Sequence, residues 1–314
     1  MRHTPLALRV EELPMNMIFN SKRQSGFKHL VAWGLGTLLA ASGCGGEAGQ
    51  PNDEVETVTQ EAQTRAGWVQ IWSDEFNGTS VDTSNWSYVT NIHVNNEQQQ
   101  YTTSSQNVSV NNGTLKITAR LQSNNGYPFT SGRLESAGKR QFGHTRIEAR
   151  IKLPVGAGLW PAFWLLGNDI NSVGWPACGE LDIMENVGYS NWVSGALHGP
   201  GYSGNTPING RFYPNSSVSN FHVYRAEFSP TDVKWYIDDV LVKTTLKSEV
   251  TRYGAWVYDK PFYIILNLAV GGSYPQGQNG ATSPYPGVPQ STVDLIRNTP
   301  QTMEVDWVRV YQWR

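Results

Sequence analysis

The segment Trp175-Pro-Ala-Cys-Gly-Glu-Leu-Asp-Ile-Met-Glu-Asn-Val-Gly188 gathers three carboxylic acids, Glu180, Asp182 and Glu185. On an extended chain side chains alternate between faces, so Glu180 and Asp182 point one way and Leu181 and Ile183 the other. Glu185 then has the wrong parity. One extra residue, a β-bulge around Ile183 to Met184, swings it back beside the other two. The three acids would line one face within roughly 10 Å, at ~3.3 Å rise per residue. Crowded carboxylates repel one another, which keeps one protonated near neutral pH, as a general acid requires. Two carboxyl groups flanking a sugar, one as nucleophile and one as acid/base, are the equipment of glycoside hydrolysis. A solvated polar face and a metal site are the competing readings. The first does not explain why Trp160, Trp164 and Trp175 accompany the acids, and the second wants more ligands than three acids supply.

Strands must carry these residues. Thr114 to Arg120, Thr145 to Ile151 and Met303 to Tyr311 alternate apolar and polar residues between Gly, Asn, Ser and Pro clusters, the pattern of an antiparallel sandwich. Val233 to Ile237 and Val240 to Lys243 flank Asp238-Asp239, a two-residue hairpin turn. About a dozen strand candidates can be counted this way, and no stretch sustains helical apolar spacing over three turns. With 31 Gly, 17 Pro and 36 aromatics (12 Trp, 14 Tyr, 10 Phe), the composition suits a turn-rich all-β fold of two packed antiparallel sheets. A net charge of -2 and only 16% charged residues argue against a nucleic-acid partner. Trp160 and Trp164 share strand parity, so both indoles face either a sugar-binding cleft or the core, and the cleft is the better reading.

Residues 1–43 read as a signal peptide: a basic, polar start, an apolar run from Leu30 to Ala41, and small residues before Cys44. The apolar run is shorter than the ~20 residues that a bilayer span needs. Met15 and Met17 are alternative starts. Ala41-Ser-Gly-Cys44 resembles a bacterial lipobox, with Ala41 where Leu is usual. The expectation is therefore an extracytoplasmic protein, lipid-anchored at the cell envelope through Cys44 or simply secreted. Residues 44–66, with Glu47, Asp53, Glu54, Glu56 and Glu61 and no apolar periodicity, read as a flexible acidic tether. Residues 67–314 read as a single catalytic domain. Cleavage before Cys44 would leave Cys178 as the one free thiol, with no disulfide framework.

GELDIMENVG, from Gly179 to Gly188, resembles the Glu-x-Asp-x-x-Glu signature of glycoside hydrolase family 16, in its bulged form. GLWPAFWLL upstream resembles the laminarinase-like branch of that family. Trp72-Ser-Asp-Glu-Phe-Asn-Gly78, Pro261 to Gly272 and Val305 to Gln312 resemble its opening and closing strands. The resemblance spans residues 67–314. It implies a β-jelly-roll sandwich with a cleft across its concave sheet, and retaining endo-hydrolysis of β-1,3-glucan or mixed β-1,3-1,4-glucan. By position it makes Glu180 the nucleophile, Glu185 the acid/base and Asp182 the assisting acid. It also implies sugar contacts from Asn95, Arg133, Trp160, Trp164, Trp175 and His198, although three glutamines after Glu97 depart from the usual early loop. Cys178 is expected as a small filler beneath the cleft. No cofactor is needed for the chemistry. A structural calcium held by Glu75, Asp306 and a carbonyl near Gly113 is implied by the same family, unless these are two ordinary surface acids. The partner implied is a polysaccharide, and the chain is expected to act as a monomer. The alternatives are an agarase-like galactan hydrolase on the same fold and a non-catalytic β-glucan-binding protein. The first would favour a basic cleft if its substrate were sulfated, and the second could dispense with Glu180 and Glu185.

Overall fold

A computed structural model describes residues 66–314. The expected signal peptide, Cys44 and all of the tether except Ala66 lie outside the described residues. Two antiparallel sheets pack face to face. The first contains β1 (Trp68–Asp74), β4 (Val108–Asn111), β5 (Thr114–Ala119), β8 (Arg146–Lys152), β13 (His222–Phe228), β14 (Asp232–Ile237), β15 (Val240–Leu246) and β17 (Gln301–Trp313). Its order is β15-β14-β13-β8-β17-β5-β4, with β1 beside β17. The second contains β2 (Ser87–Tyr88), β7 (Arg133–Glu135), β9 (Leu159–Gly167), β10 (Glu180–Glu185), β11 (Val193–His198), β12 (Asn209–Phe212) and β16 (Phe262–Val270), in the order β12-β11-β10-β9-β16-β7-β2. A short parallel pair, β3 (Gln99–Tyr101) and β6 (Phe129–Ser131), stands apart from both. Helices are short: α1 (Ile170–Val173), α2 (Lys247–Val250), α3 (Ser273–Asn279) and α4 (Gln290–Asn298).

The core between the sheets follows from strand periodicity. In β5, Leu115, Ile117 and Ala119 are buried while Thr114, Lys116 and Thr118 are not, as a strand with one face to the core requires. β16 lacks that alternation because it is buried throughout. Phe262, Ile264, Leu266 and Leu268 enter the main core, while Tyr263 and Ile265 join a second cluster with Leu166 and Cys178. Cys178 is thus the buried filler anticipated, on the side of the sheet that faces away from the main core. The described residues contain seventeen strands against the dozen expected. The surplus consists of pieces such as β2, β3, β6 and β7, two or three residues long, which are too short to show a period. The Asp238-Asp239 turn is as read from sequence, with both residues at positive φ (49° and 66°), the conformation of a type I′ hairpin.

The residues expected to hold calcium are otherwise engaged. Arg309 Nε and Nη2 donate to Glu75 Oε1 and Oε2 at 3.0 and 2.9 Å. Arg150 Nη1 donates to Asp306 Oδ2 at 2.5 Å. Gly113 (φ 73°) follows Asn112 (φ 52°) in the tight turn between β4 and β5, where positive φ is required at both positions. The pair of free carboxylates that a calcium cage would use is therefore committed to guanidinium groups. A calcium ion there would have to share these carboxylates with the arginines and take the rest of its six to eight oxygens from backbone and water.

Candidate active site

The carboxylate strand β10 is bulged where the sequence demanded it. Against β9, Asp182 faces Trp164 while Met184 faces Phe163, so two steps on β10 meet one on its partner. Against β11, Asp182 faces Ala196 and Glu185 faces Ser194, three steps against two. Leu181, Ile183 and Met184 all enter the main core, and the extra inward residue is what returns Glu185 to the face of Glu180 and Asp182. A bond from the opposite sheet fixes the kink: Trp235 Nε1 on β14 donates to the Asp182 carbonyl at 2.9 Å. Gly195 on β11 makes room for that indole, since a Cβ there would lie 2.7 Å from Trp235 Nε1.

The three acids lie on the floor of a cleft of about 920 Å³. All of the residues expected to bind sugar, Asn95, Arg133, Trp160, Trp164, Trp175 and His198, line it. Trp160 Nε1 donates to Glu185 Oε1 and Trp175 Nε1 to Glu180 Oε2, both at 2.9 Å. Trp164 Nε1 donates to Asn267 Oδ1 at 2.7 Å. The tryptophans thus share the cleft face, and two of them hold the carboxylates through their N–H groups. Arg133 and His198 also meet carboxylates. Arg133 is buried, gives Nε and Nη2 to Glu135 Oε1 (2.8 and 2.6 Å), and stacks over the Trp164 ring at 4.9 Å. It braces an aromatic platform. His198 turns Nε2 toward the acids, 3.0 Å from Asp182 Oδ2 and 3.7 Å from Glu180 Oε1. Asn95 sits at positive φ (54°) on the cleft wall, its amide 3.4 Å from Glu97 Oε1.

The site contains polar groups that sequence reasoning passed over. Glu97 accepts from Gln99 Nε2 (2.7 Å) and from Tyr101 Oη (3.2 Å), and Asn267 Nδ2 donates to Tyr101 Oη at 3.2 Å, linking Glu97 to Trp164 behind the cleft. Burial raises the Glu97 carboxyl above its ordinary pKa. Tyr274 in α3 bonds Ser194 Oγ at 3.0 Å and meets the Trp160 ring edge-on at 5.5 Å. Glu97 was visible as the single acid in an amide-rich loop. Tyr274 had no local signal, because only the fold carries α3 to the cleft.

Burial pushes Glu180, Asp182 and Glu185 each up to about 8. At Glu180 the charge of Asp182 adds to the rise, while His198 and the Trp175 N–H oppose it. At Glu185 Asp182 again adds, and the Trp160 N–H opposes. Such a cluster resists holding three negative charges, which separates its members into proton donor and nucleophile. Glu180, with both an indole N–H and an imidazole beside it, is the better placed to stay ionised.

These shifts predict how stability depends on pH. A carboxyl whose folded pKa exceeds its unfolded value holds a proton that the unfolded chain has released, so stability falls as pH rises from ~4.3 toward the folded value. Glu185→Gln keeps an acceptor for Trp160 and removes the ionisation. The variant should melt above the parent at pH 8 by at least ~2–4 °C, the shift that ~1 kcal/mol produces in a domain of this size. The two curves should converge near pH 4. Equal melting temperatures at both pH values would show that Glu185 is not buried at this cost.

The model of the family described as glycosyl hydrolases family 16 matches residues 95–308. A β-glucanase from Rhodothermus marinus is 36% identical over 259 residues, covering 78% of this chain and 86% of that protein. Glucan endo-1,3-beta-glucosidase A1 from Niallia circulans is 34% identical over 278 residues, and the match covers 79% of this chain but only 38% of that longer protein. Among solved structures, the laminarinase catalytic domain from Thermotoga maritima superposes with a TM-score of 0.69 at 38% identity, covering 78% of this chain and 98% of that one. With a bulged carboxylate strand, a jelly-roll sandwich and these relatives, the chain belongs to glycosyl hydrolase family 16.

Proposed function

We propose that the chain is an endo-β-1,3-glucanase of the laminarinase type, retaining anomeric configuration and able to accept mixed β-1,3-1,4-glucan. The observation that carries this reading is the bulge that sets Glu180 and Glu185 on either side of Asp182 on the cleft floor, each held by a tryptophan N–H. The glucanases and laminarinase among its relatives support the choice of substrate. Glu180 carboxylate attacks the anomeric carbon while Glu185 gives its proton to the departing glycosidic oxygen, so one C–O bond forms as another breaks. Glu185, now ionised, takes a proton from water, whose oxygen displaces Glu180 from the glycosyl ester. Asp182 sets the proton affinity of both neighbours and makes no bond to sugar. Trp160, Trp164 and Trp175 offer ring faces to pyranose, with Arg133 backing Trp164.

The cleft argues against sulfated galactans. Of its two guanidinium groups among the described residues, Arg133 is bonded to Glu135, while Arg211 is bonded to Gln278 and stacked over Trp192. The Arg133 charge is thus already met by a carboxylate, which leaves Arg211 as the one guanidinium in the cleft without an acidic partner among the described residues. A binding-only role would leave the desolvation of both glutamates without a purpose.

Glu180→Ala and Glu185→Ala should each lose nearly all hydrolysis of laminarin, while circular dichroism stays native. On an aryl β-glucoside whose leaving group needs no proton, azide should restore turnover with opposite product stereochemistry in the two variants, because it replaces the nucleophile in one and attacks the glycosyl ester in the other. Asp182→Asn should lose less. Substantial laminarin hydrolysis by either alanine variant would discard the assignment.

The N-terminal segment supports a further part of the reading: an extracytoplasmic enzyme attached by lipid at Cys44, with residues 44–66 as spacer. Two or three acyl chains, at ~0.8 kcal/mol per buried methylene, give stable attachment where a single chain is marginal. Full-length protein should partition with membranes, and Cys44→Ser should release it or block its maturation. Intact-mass analysis that finds an unmodified N-terminus beyond Cys44 would mean simple secretion.

A further inference from the structure

His198 lines the cleft with its Nε2 among carboxylate oxygens. One oxygen each from Glu180 and Asp182, together with a His198 ring nitrogen, lie within 4.8 Å of one another. Trp175 occupies Glu180 Oε2 and leaves Oε1 turned to the imidazole. Asp182 is 3% exposed, and its Oδ2 is buried without a hydrogen bond, the His198 ring approaching it at 3.0 Å but lacking hydrogen-bond geometry. This is an unpartnered, deeply buried acceptor aimed at a nitrogen ligand.

Zinc bound by imidazole and carboxylate takes bonds of ~2.0–2.2 Å, which in a tetrahedron separates neighbouring donors by about 3.3–3.5 Å. The His198 Nε2 distances of 3.0 and 3.7 Å bracket that spacing, and the edge between the Glu180 and Asp182 oxygens, within 4.8 Å, must close toward it as the ion binds. All three residues line the cleft, which leaves the fourth vertex to water. One imidazole with two carboxylates suits Zn²⁺ or Cu²⁺, whereas Ca²⁺ wants six to eight oxygens and Mg²⁺ an octahedron of them. We propose that Glu180, Asp182 and His198 form a binding site for a divalent transition-metal ion, Zn²⁺ or Cu²⁺, whose occupancy excludes the sugar. Occupancy ties up Glu180 Oε1, so the inhibitory consequence rests on the nucleophile assignment, whereas binding does not. The other ring nitrogen, His198 Nδ1, is buried without a partner. Metal-bound histidines ordinarily donate that N–H to an acceptor, and lacking one weakens binding by ~10–100-fold relative to a fully supported site.

The test is calorimetric titration of the full chain with zinc chloride alone, in a non-coordinating buffer at pH 7. The parent should bind one ion that His198→Gln weakens at least ~10-fold, the scale of losing one supporting interaction. Glu180→Gln provides a second variant should His198→Gln melt early. Calcium and magnesium should give no binding at the same concentrations. Zinc should raise the KM for laminarin, reversibly with chelator. Absence of zinc binding, equal binding in parent and both variants, calcium binding as tight as zinc, or zinc-saturated enzyme with an unchanged KM would each overturn the proposal.

Discussion

The active face exists because β10 carries one residue more than its neighbours between Asp182 and Glu185. Without that residue Glu185 would point between the sheets, where Ile183 and Met184 now pack among apolar side chains. An unpaired carboxylate there costs several kcal/mol or gives up its charge. Core packing and catalytic geometry therefore select the same register. The Trp235 indole secures it from the opposite sheet by satisfying the Asp182 carbonyl, and Gly195 is the space that this contact needs. The two sheets of the sandwich thus do more than enclose a core, since one of them positions the acids of the other.

Burying three carboxyl groups opposes stability, and the surroundings offset only part of that cost. The offset comes from His198 and then the Trp175 N–H at Glu180, and from the Trp160 N–H at Glu185; the indoles are neutral donors and do not trap the carboxylates as arginine would. Elsewhere on the described chain the contrast is plain: Glu75, Glu135, Glu148 and Asp306 each meet a guanidinium. At Glu75 the Arg309 hydrogen bonds hold the carboxyl below its ordinary value, the opposite of what a proton donor needs. Trp160 and Trp175 leave Glu185 and Glu180 able to exchange protons while fixing where they point. Each ring can also present a face to sugar, so substrate binding and acid placement are coupled through the same side chains.

Much of this was legible in the chain. The parity of Glu180, Asp182 and Glu185 required a bulge, and the bulge is there. The alternating runs of β5, β8 and β17 and the Asp238-Asp239 turn were visible because each has one face on the core or a fixed turn geometry. What escaped depended on long-range placement. A run as short as Arg133–Glu135 has no period, and Arg133 finds Trp164 only after β7 and β9 are laid on either side of β16. His198 gave no local hint that it would face Asp182, since the two meet across paired strands. The arginines that pair with Glu75 and Asp306 were not legible either, because a lone acid in sequence does not reveal the cation opposite it.

The account assigns nucleophilic attack to Glu180, and covalent trapping measures that directly. A 2-deoxy-2-fluoro laminari-oligosaccharide with a good leaving group forms the glycosyl ester quickly and hydrolyses it slowly, so the labelled peptide can be isolated and sequenced by mass spectrometry. The result predicted is a single adduct on Glu180, absent when Glu180 is replaced by alanine. An adduct on Glu185 or Asp182, or turnover of the reagent with inversion and no adduct, would contradict it.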